Sequence, residues 1–240
     1  MNHHLVGTIA NITSFGLFIS PIPTFFKIIK RKDVEHFSPN PALATFMNCA
    51  MWLLYGLPFV HPNNTHVWTV NGLGLMIEFL YIIIYLWYAK KTSKRLYVLG
   101  VLFAQLITIA TIFLSLILPA SHGTNKKRTL IFDMICVFVT TCMYAMPLDN
   151  AWAVWKTKSL EYMPLEMLVA YFCNGCIWVV YALLRFDINL LVSNGTGAYL
   201  GLLQLVFYTC VAMTYPQGMK KEGNNEIISL EKGEKWRKQC

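Results

Sequence analysis

Charge is scarce in this chain, and the places where it is missing exclude most classes of function. Only 13% of its 240 residues are Asp, Glu, Lys or Arg, 56% are hydrophobic and the mean hydropathy is +0.48. So apolar a composition excludes an ordinary soluble enzyme. The acids inside apolar stretches are only Glu78, Asp133, Asp149, Glu166 and Asp187, most of them near stretch ends. Proton- or sodium-coupled membrane proteins hold ionisable groups near the midplane, so this scarcity favours uncoupled movement of a neutral solute, with Glu78 as the one remaining proton site. Histidine is missing from the stretches as well, since His3, His4, His36, His61, His66 and His122 all fall in or beside connections. No histidine relay crosses the chain. Cysteine provides no framework: Cys49, Cys136, Cys142, Cys173, Cys176 and Cys210 lie within apolar stretches and Cys240 is terminal. The single Cys173-x-x-Cys176 has neither a second pair nor a nearby His, so it reads as packing, and neither metal nor cofactor is implied. No HExxH or GxGD element supports an enzyme, and the DRY and NPxxY signatures of a rhodopsin-like receptor are absent.

What the chain does have is long apolar runs. A helix needs about 20 mostly apolar residues to cross the hydrocarbon of a bilayer. Seven such stretches are predicted, near Leu5 to Ile29, Ala42 to Val60, Val67 to Ala89, Tyr97 to Pro119, Leu130 to Trp155, Leu165 to Leu184 and Asn189 to Tyr215. The first is read as a retained helix, because no Lys or Arg precedes it and Pro21 and Pro23 interrupt it. Sixteen of the 20 Lys and Arg fall on one set of connections: Lys27 to Lys32, Lys90 to Arg95, Lys156 and Lys158, and the tail from Lys220 to Lys238. Positive residues accumulate on the cytosolic side, which puts the N-terminus outside and the tail in the cytosol. The net charge of +8 is thereby a topology signal, and nucleic acid is not expected as a partner. Asn63-Asn64-Thr65 is a glycosylation sequon on the predicted outer side, with Asn63 the acceptor.

The runs are also duplicated. Asn48, Trp52 and Tyr55 return as Asn174, Trp178 and Tyr181, each 126 residues later, and the same offset joins Pro21 to Pro147, Lys30 to Lys156 and Glu35 to Glu161. Asn71-Gly72-Leu73-Gly74 returns as Asn194-Gly195-Thr196-Gly197 at an offset of 123, so one connection has lost three residues. Two triplets of spans joined by an unrepeated fourth are expected: residues 1–92, a linker at 93–122, residues 123–216, and a cytosolic tail at 217–240 that is too polar to fold. An odd number of spans makes the triplets parallel. The predicted fold is therefore an all-α membrane protein with seven transmembrane helices, two parallel three-helix bundles and a linker helix.

At mid-membrane the repeat places amides and aromatic rings. Asn71 and Asn194 hold equivalent positions, each before a Gly-x-Gly that permits close backbone approach. An amide donates and accepts, as a sugar hydroxyl does. Trp52 and Trp178 supply flat rings on which the C–H face of a pyranose can rest. Pro21, Pro41, Pro147 and Pro164 lie toward the predicted cytosolic ends of the first two spans of each triplet, where loss of a backbone hydrogen bond would loosen an inner gate. At the other mouth Tyr55 and Asp187 offer a hydroxyl-to-carboxylate latch.

In this order and spacing the residues resemble the plant SWEET sugar transporters. The likeness rests on Pro21 with Thr24-Phe25, the run from Lys30 to Phe37, Asn48 to Val60, Asn71-Gly72, Lys156 to Pro164 and Asn194-Gly195, and it covers residues 5–217. The resemblance implies bidirectional, energy-independent sugar diffusion by alternating access. It makes Asn71 and Asn194 the sugar-binding amides, Trp52 and Trp178 the ring-packing positions, Tyr55 and Asp187 the outer gate, and the four prolines with Gln204 the inner gate. Phe172-Cys173-Asn174-Gly175 and Trp52 are most similar to hexose-type members, and a large ring at position 52 is expected to crowd a disaccharide. A plasma-membrane location and homo- or hetero-oligomers with other members are also implied. The chain departs from the family at Met146, Asp149, Trp152, Trp155 and Ser193. A relative with PQ-loop motifs that carries another small solute is the competing reading.

Overall fold

Among the described residues nine helices follow one another, and Pro21 stands at the break between the first two. The computed structural model describes residues 2–34, 37–118, 125–145, 148–157, 160 and 165–215. Among them run α1 (His3–Ile19), α2 (Ile22–Arg31), α3 (Asn40–Tyr55), α4 (Thr65–Tyr88), α5 (Thr92–Ile117), α6 (Asn125–Ala145), α7 (Leu148–Thr157), α8 (Leu165–Arg185) and α9 (Ile188–Thr214). The first span is α1 followed by α2. Pro21 has no N–H to continue α1, and its carbonyl starts α2 by accepting from Thr24 at 2.9 Å and Phe25 at 3.2 Å. In the expected fifth span the described helices are α6 and α7, on either side of residues 146–147. Pro147 and Pro164 lie outside the described residues, as do Met146 and the tail.

Five helices, counting α1 with α2 as one run, are long and apolar enough to cross a membrane, and a sixth apolar stretch runs from Thr129 to Tyr144. The second span, expected to reach Val60, ends at Tyr55. A Cβ on Gly56 would lie 2.7 Å from the backbone nitrogen of Trp68, so the chain turns tightly into α4 at the one residue type that fits. The fourth span starts at Thr92 and takes in Lys94 and Arg95, the latter donating to the Ala89 carbonyl.

The helix contacts close a ring. α4 packs on α1, α1 on α8, α8 on α9, α9 on α6, α6 on α3, and α3 back on α4. Within each triplet the third span stands between the first and second, and the triplets meet through α1 with α8 and α3 with α6. The repeat therefore becomes a pseudo-twofold arrangement with α4 and α9 on opposite sides. α5 packs against α3, α4 and α6 from outside the ring.

Burial is uneven along the axis. At the end carrying the α3–α4 and α8–α9 turns, one core joins both triplets through Val6, Met51, Trp52, Tyr55, Val67, Phe132, Trp178, Tyr181 and Leu190. At the other end the described residues form two separate clusters. One, around Ile28, Leu43, Phe46, Ile82 and Tyr85, belongs to the first triplet with α5; the other, around Val154, Leu160, Leu168 and Val211, belongs to the second. The periphery is apolar. α5 buries only Val98 and Leu102 and exposes Leu96, Leu99, Phe103, Leu106, Ile107 and Leu114. Polar contacts inside and large apolar side chains outside suit hydrocarbon as the surrounding solvent.

Candidate functional site

Two hydrogen-bond chains related by the repeat cross between the triplets. On one side the indole N–H of Trp52 donates to Thr140 Oγ1 at 2.7 Å, and Thr140 Oγ1 lies 2.8 Å from the amide oxygen of Asn48. On the other, Trp178 donates to Ser14 Oγ at 2.9 Å, and Ser14 donates to the amide oxygen of Asn174 at 3.0 Å. Thr13 adds a second hydroxyl to Asn174 at 2.7 Å. Thr140 and Ser14 are themselves 126 residues apart. An indole N–H can only donate, so Ser14 turns its hydrogen onward to the amide oxygen of Asn174, while the Thr140 hydroxyl lies against both the amide oxygen of Asn48 and, at 2.9 Å, the Cys136 carbonyl. The NH2 groups of Asn48 and Asn174 are left without a protein partner among the described residues.

Asn71 and Asn194 show the complementary arrangement. The Asn71 NH2 donates to the Val67 carbonyl of its own helix at 2.8 Å, and that of Asn194 to Leu190 at 3.0 Å. Their amide oxygens are the free ends. Both residues are half-buried and stand on α4 and α9, the opposed members of the ring. The two amide sets together offer two acceptors and two donors, and a hydroxyl-rich neutral solute presents both. The second glycine of each Gly-x-Gly positions these helices. A Cβ on Gly74 would sit 2.5 Å from the ring of Phe18, and one on Gly197 would sit 2.4 Å from the ring of Tyr144. Phe18 and Tyr144 are again 126 apart. The first glycines do less: Gly72 meets only Leu53 at 3.6 Å and Gly195 meets nothing.

Trp52 and Trp178 are 4% and 6% exposed, so most of each ring is committed to the interface between triplets. Trp52 meets Tyr55 edge-on at 4.8 Å between ring centroids, and Trp178 meets Tyr181 at 5.4 Å. Tyr55 donates to Asp187 Oδ1 at 2.7 Å, and the same carboxylate oxygen caps α9 through the Leu190 N–H at 3.1 Å. Asn64 reaches the other oxygen at a longer 3.4 Å. The latch expected from the sequence is thus closed in this structure.

The remaining expected residues are less tightly placed. Pro21 marks the α1–α2 break. Pro41 is the second residue of α3, where its missing N–H interrupts no helix bond, so it starts that helix rather than loosening it. Gln204 is half-buried on α9. Asn63 is exposed in the α3–α4 turn with φ 66°, a backbone conformation that Asn tolerates. Ser193 is fully buried and donates back to the carbonyls of Asn189 and Leu190, leaving no polar atom exposed where it departs from the family pattern. Trp152 is exposed and stacks under the ammonium of Lys156 at 5.3 Å. The side chain of Asp149 is outside the described set. Glu78 is buried and has no hydrogen-bond partner among the described residues.

Sequence reasoning passed over Asn48, Asn174, Thr140, Ser14, Asp133, Asn189 and His61 as site residues. The first two carried a signal, since they repeat with the tryptophans. Thr140 and Ser14 differ in residue type, which hid their equivalence.

The chain is similar to known sugar transporters. The family described as sugar efflux transporters for intercellular exchange matches residues 4–93 and 130–215, together well over half the chain. The bidirectional sugar transporter SWEET7b of Oryza sativa subsp. japonica is 44% identical over 228 residues, covering 95% of this chain and 84% of that protein. SWEET7 of Arabidopsis thaliana is 44% identical over 204 residues, covering 85% and 78%. A solved eukaryotic SWEET transporter superposes with a TM-score of 0.79 at 29% identity, over 88% of this chain and 97% of the other.

Proposed function

The chain belongs to the SWEET family of sugar transporters, a family of carriers and not of enzymes, and we propose that it moves hexoses down their gradient in either direction by alternating access. The observation that carries this reading is the four-amide set. The free oxygens of Asn71 and Asn194 face the solute from opposite helices, and the free NH2 groups of Asn48 and Asn174 donate to it. A ring of hydroxyls satisfies all four; an ion satisfies only half of them. Trp52 and Trp178 border the same level and limit its width to a monosaccharide.

Support for alternating access comes from the uneven cores. Both triplets share one core at the outer end, where Tyr55 and Asp187 are latched, and separate clusters serve each triplet at the other. Rocking the triplets about the Trp52–Thr140 and Trp178–Ser14 chains would open one mouth as it closes the other, with Pro21, Pro41, Pro147, Pro164 and Gln204 at the inner mouth. The triplets are read as residues 1–92 and 123–216 about the linker at 93–122. The reading includes a plasma-membrane location, an outside N-terminus, a cytosolic tail and association with further copies or family members.

Uptake of labelled glucose and sucrose in yeast lacking hexose carriers tests it. Saturable glucose uptake, weak sucrose uptake and no effect of a protonophore are expected. Absence of glucose uptake with surface expression confirmed would overturn it.

A further inference from the structure

His61, in the turn between α3 and α4, has both ring nitrogens against oxygen acceptors. Nδ1 lies 3.1 Å from the Tyr55 carbonyl, which can only accept, so Nδ1 carries a hydrogen. Nε2 lies 3.5 Å from Asp133 Oδ2 on α6. That same oxygen accepts from the Asn189 NH2 of α9 at 3.0 Å. Against an ionised Asp133, a neutral His61 would turn a lone pair toward the carboxylate, whereas the imidazolium satisfies both contacts. The Asp133 side chain is 8% exposed, its Oδ1 has no partner, and His61 is the only base in ion-pair reach of it among the described residues. The imidazole also stacks on the Tyr55 ring, 4.0 Å between centroids and 20° between planes. One side chain thus bridges the residue that latches Asp187 to the first span of the opposite triplet.

We propose that His61 and Asp133 form a second, proton-dependent clasp of the outer mouth, in which His61 positions Tyr55 and holds the closed state under acid conditions outside. The proposal rests on reading Tyr55 and Asp187 as the gate of the sugar path. The groups facing His61 are Tyr55 from α3, Asp133 from α6, and Asp187 with Asn189 from α9. Arg185 at the end of α8 reaches only Asn64, at 3.5 Å, and His66 of α4 packs against His4 and Tyr181 instead. Burial pulls the imidazole pKa down, but the hydrogen bond and charge of Asp133, the Tyr55 carbonyl and Asp187 outweigh it and leave it raised. Opening separates α3 from α6 and returns His61 to an ordinary value near 6.5. A group whose pKa is raised in the closed state stabilises that state fully below the open-state value, and the stabilisation fades as pH rises through the closed-state value. Acid outside therefore holds the mouth shut. The side chain is 23% exposed and sits in the turn at that mouth, so in this proposal the proton enters and leaves by one face and drives no net transport.

Two readouts on the full chain test the clasp. In protein with isotope-labelled histidine, the His61 resonance, assigned from its loss in His61→Gln, should titrate above an ordinary histidine and fall to or below the ordinary value in Asp133→Asn. In proteoliposomes with the internal pH fixed, glucose exchange should slow by about threefold or more when the external pH falls from about 8 to about 6, since one linked proton allows at most about tenfold per unit. His61→Gln should flatten that dependence. An ordinary titration of His61, or one indifferent to Asp133→Asn, would overturn the clasp. Exchange that is independent of external pH in the wild type, or still dependent on it in His61→Gln, would overturn its gating role. A protein that carries no sugar fails the exchange readout at every pH, and the titration still decides whether the clasp exists.

Discussion

The indole N–H of Trp52 on α3 donates to the hydroxyl of Thr140 on α6, 2.7 Å away across the boundary between the two triplets. Its repeat-related twin runs from Trp178 to Ser14. These bonds hold the halves together, and in the proposed site they leave the NH2 ends of Asn48 and Asn174 for the solute.

Thr140→Val keeps the shape of the side chain and removes the acceptor, leaving a buried indole N–H unpaired. A loss of about 1–3 kcal/mol is expected for such a group, read as a lower Tm of the purified protein in detergent. Thr140→Ser should restore most of it. If Thr140→Val melts with the wild type, the bond does not brace the interface.

Asn71→Ala and Asn194→Ala each remove one of the two free acceptors while leaving the helices intact. Transport should fall at least about tenfold, the effect of roughly 1.4 kcal/mol, with normal surface expression. Both variants transporting at the wild-type rate would sink the four-amide site.

Tyr55→Phe deletes only the hydroxyl that donates to Asp187. The closed outer mouth loses a hydrogen bond to a charged group, worth about 1.5–3 kcal/mol, and the population shifts toward outside-open. Labelling of a cysteine introduced below the latch, in a background stripped of native cysteines, should become faster with a membrane-impermeant reagent. Unchanged labelling would mean that Tyr55 does not hold the gate.

Gly197→Ala drives a methyl into the ring of Tyr144. Overpacking of this kind costs about 1–3 kcal/mol and should lower Tm and transport together. Adding Tyr144→Ala should recover part of the stability. Gly195→Ala, with open space at the same helix, is the control and should be nearly silent.

The sequence made the large-scale plan legible. The 126-residue offset named equivalent spans before any contact was known, and the apolar runs located α4, α8 and α9 to within two residues. The contact between Tyr55 and Asp187 was legible too, because both sit beside turns at one end. Less legible were the other contacts between the triplets. Thr140 has no distinguishing neighbours in sequence; its role exists only because α6 packs on α3. His61 read as a connection residue, since the turn at Gly56 that folds it back over Tyr55 is a matter of packing against Trp68. The double role of each asparagine, one end bound and one end free, follows from hydrogen-bond direction and has no trace in residue type.

Counterflow of labelled glucose in proteoliposomes loaded with unlabelled glucose, with no ion gradient present, tests the central claim most directly. The account predicts transient accumulation of label in wild-type vesicles, insensitive to a protonophore and absent in Asn71→Ala and Asn194→Ala. No counterflow by correctly inserted wild-type protein, or counterflow that survives in both variants, would contradict it.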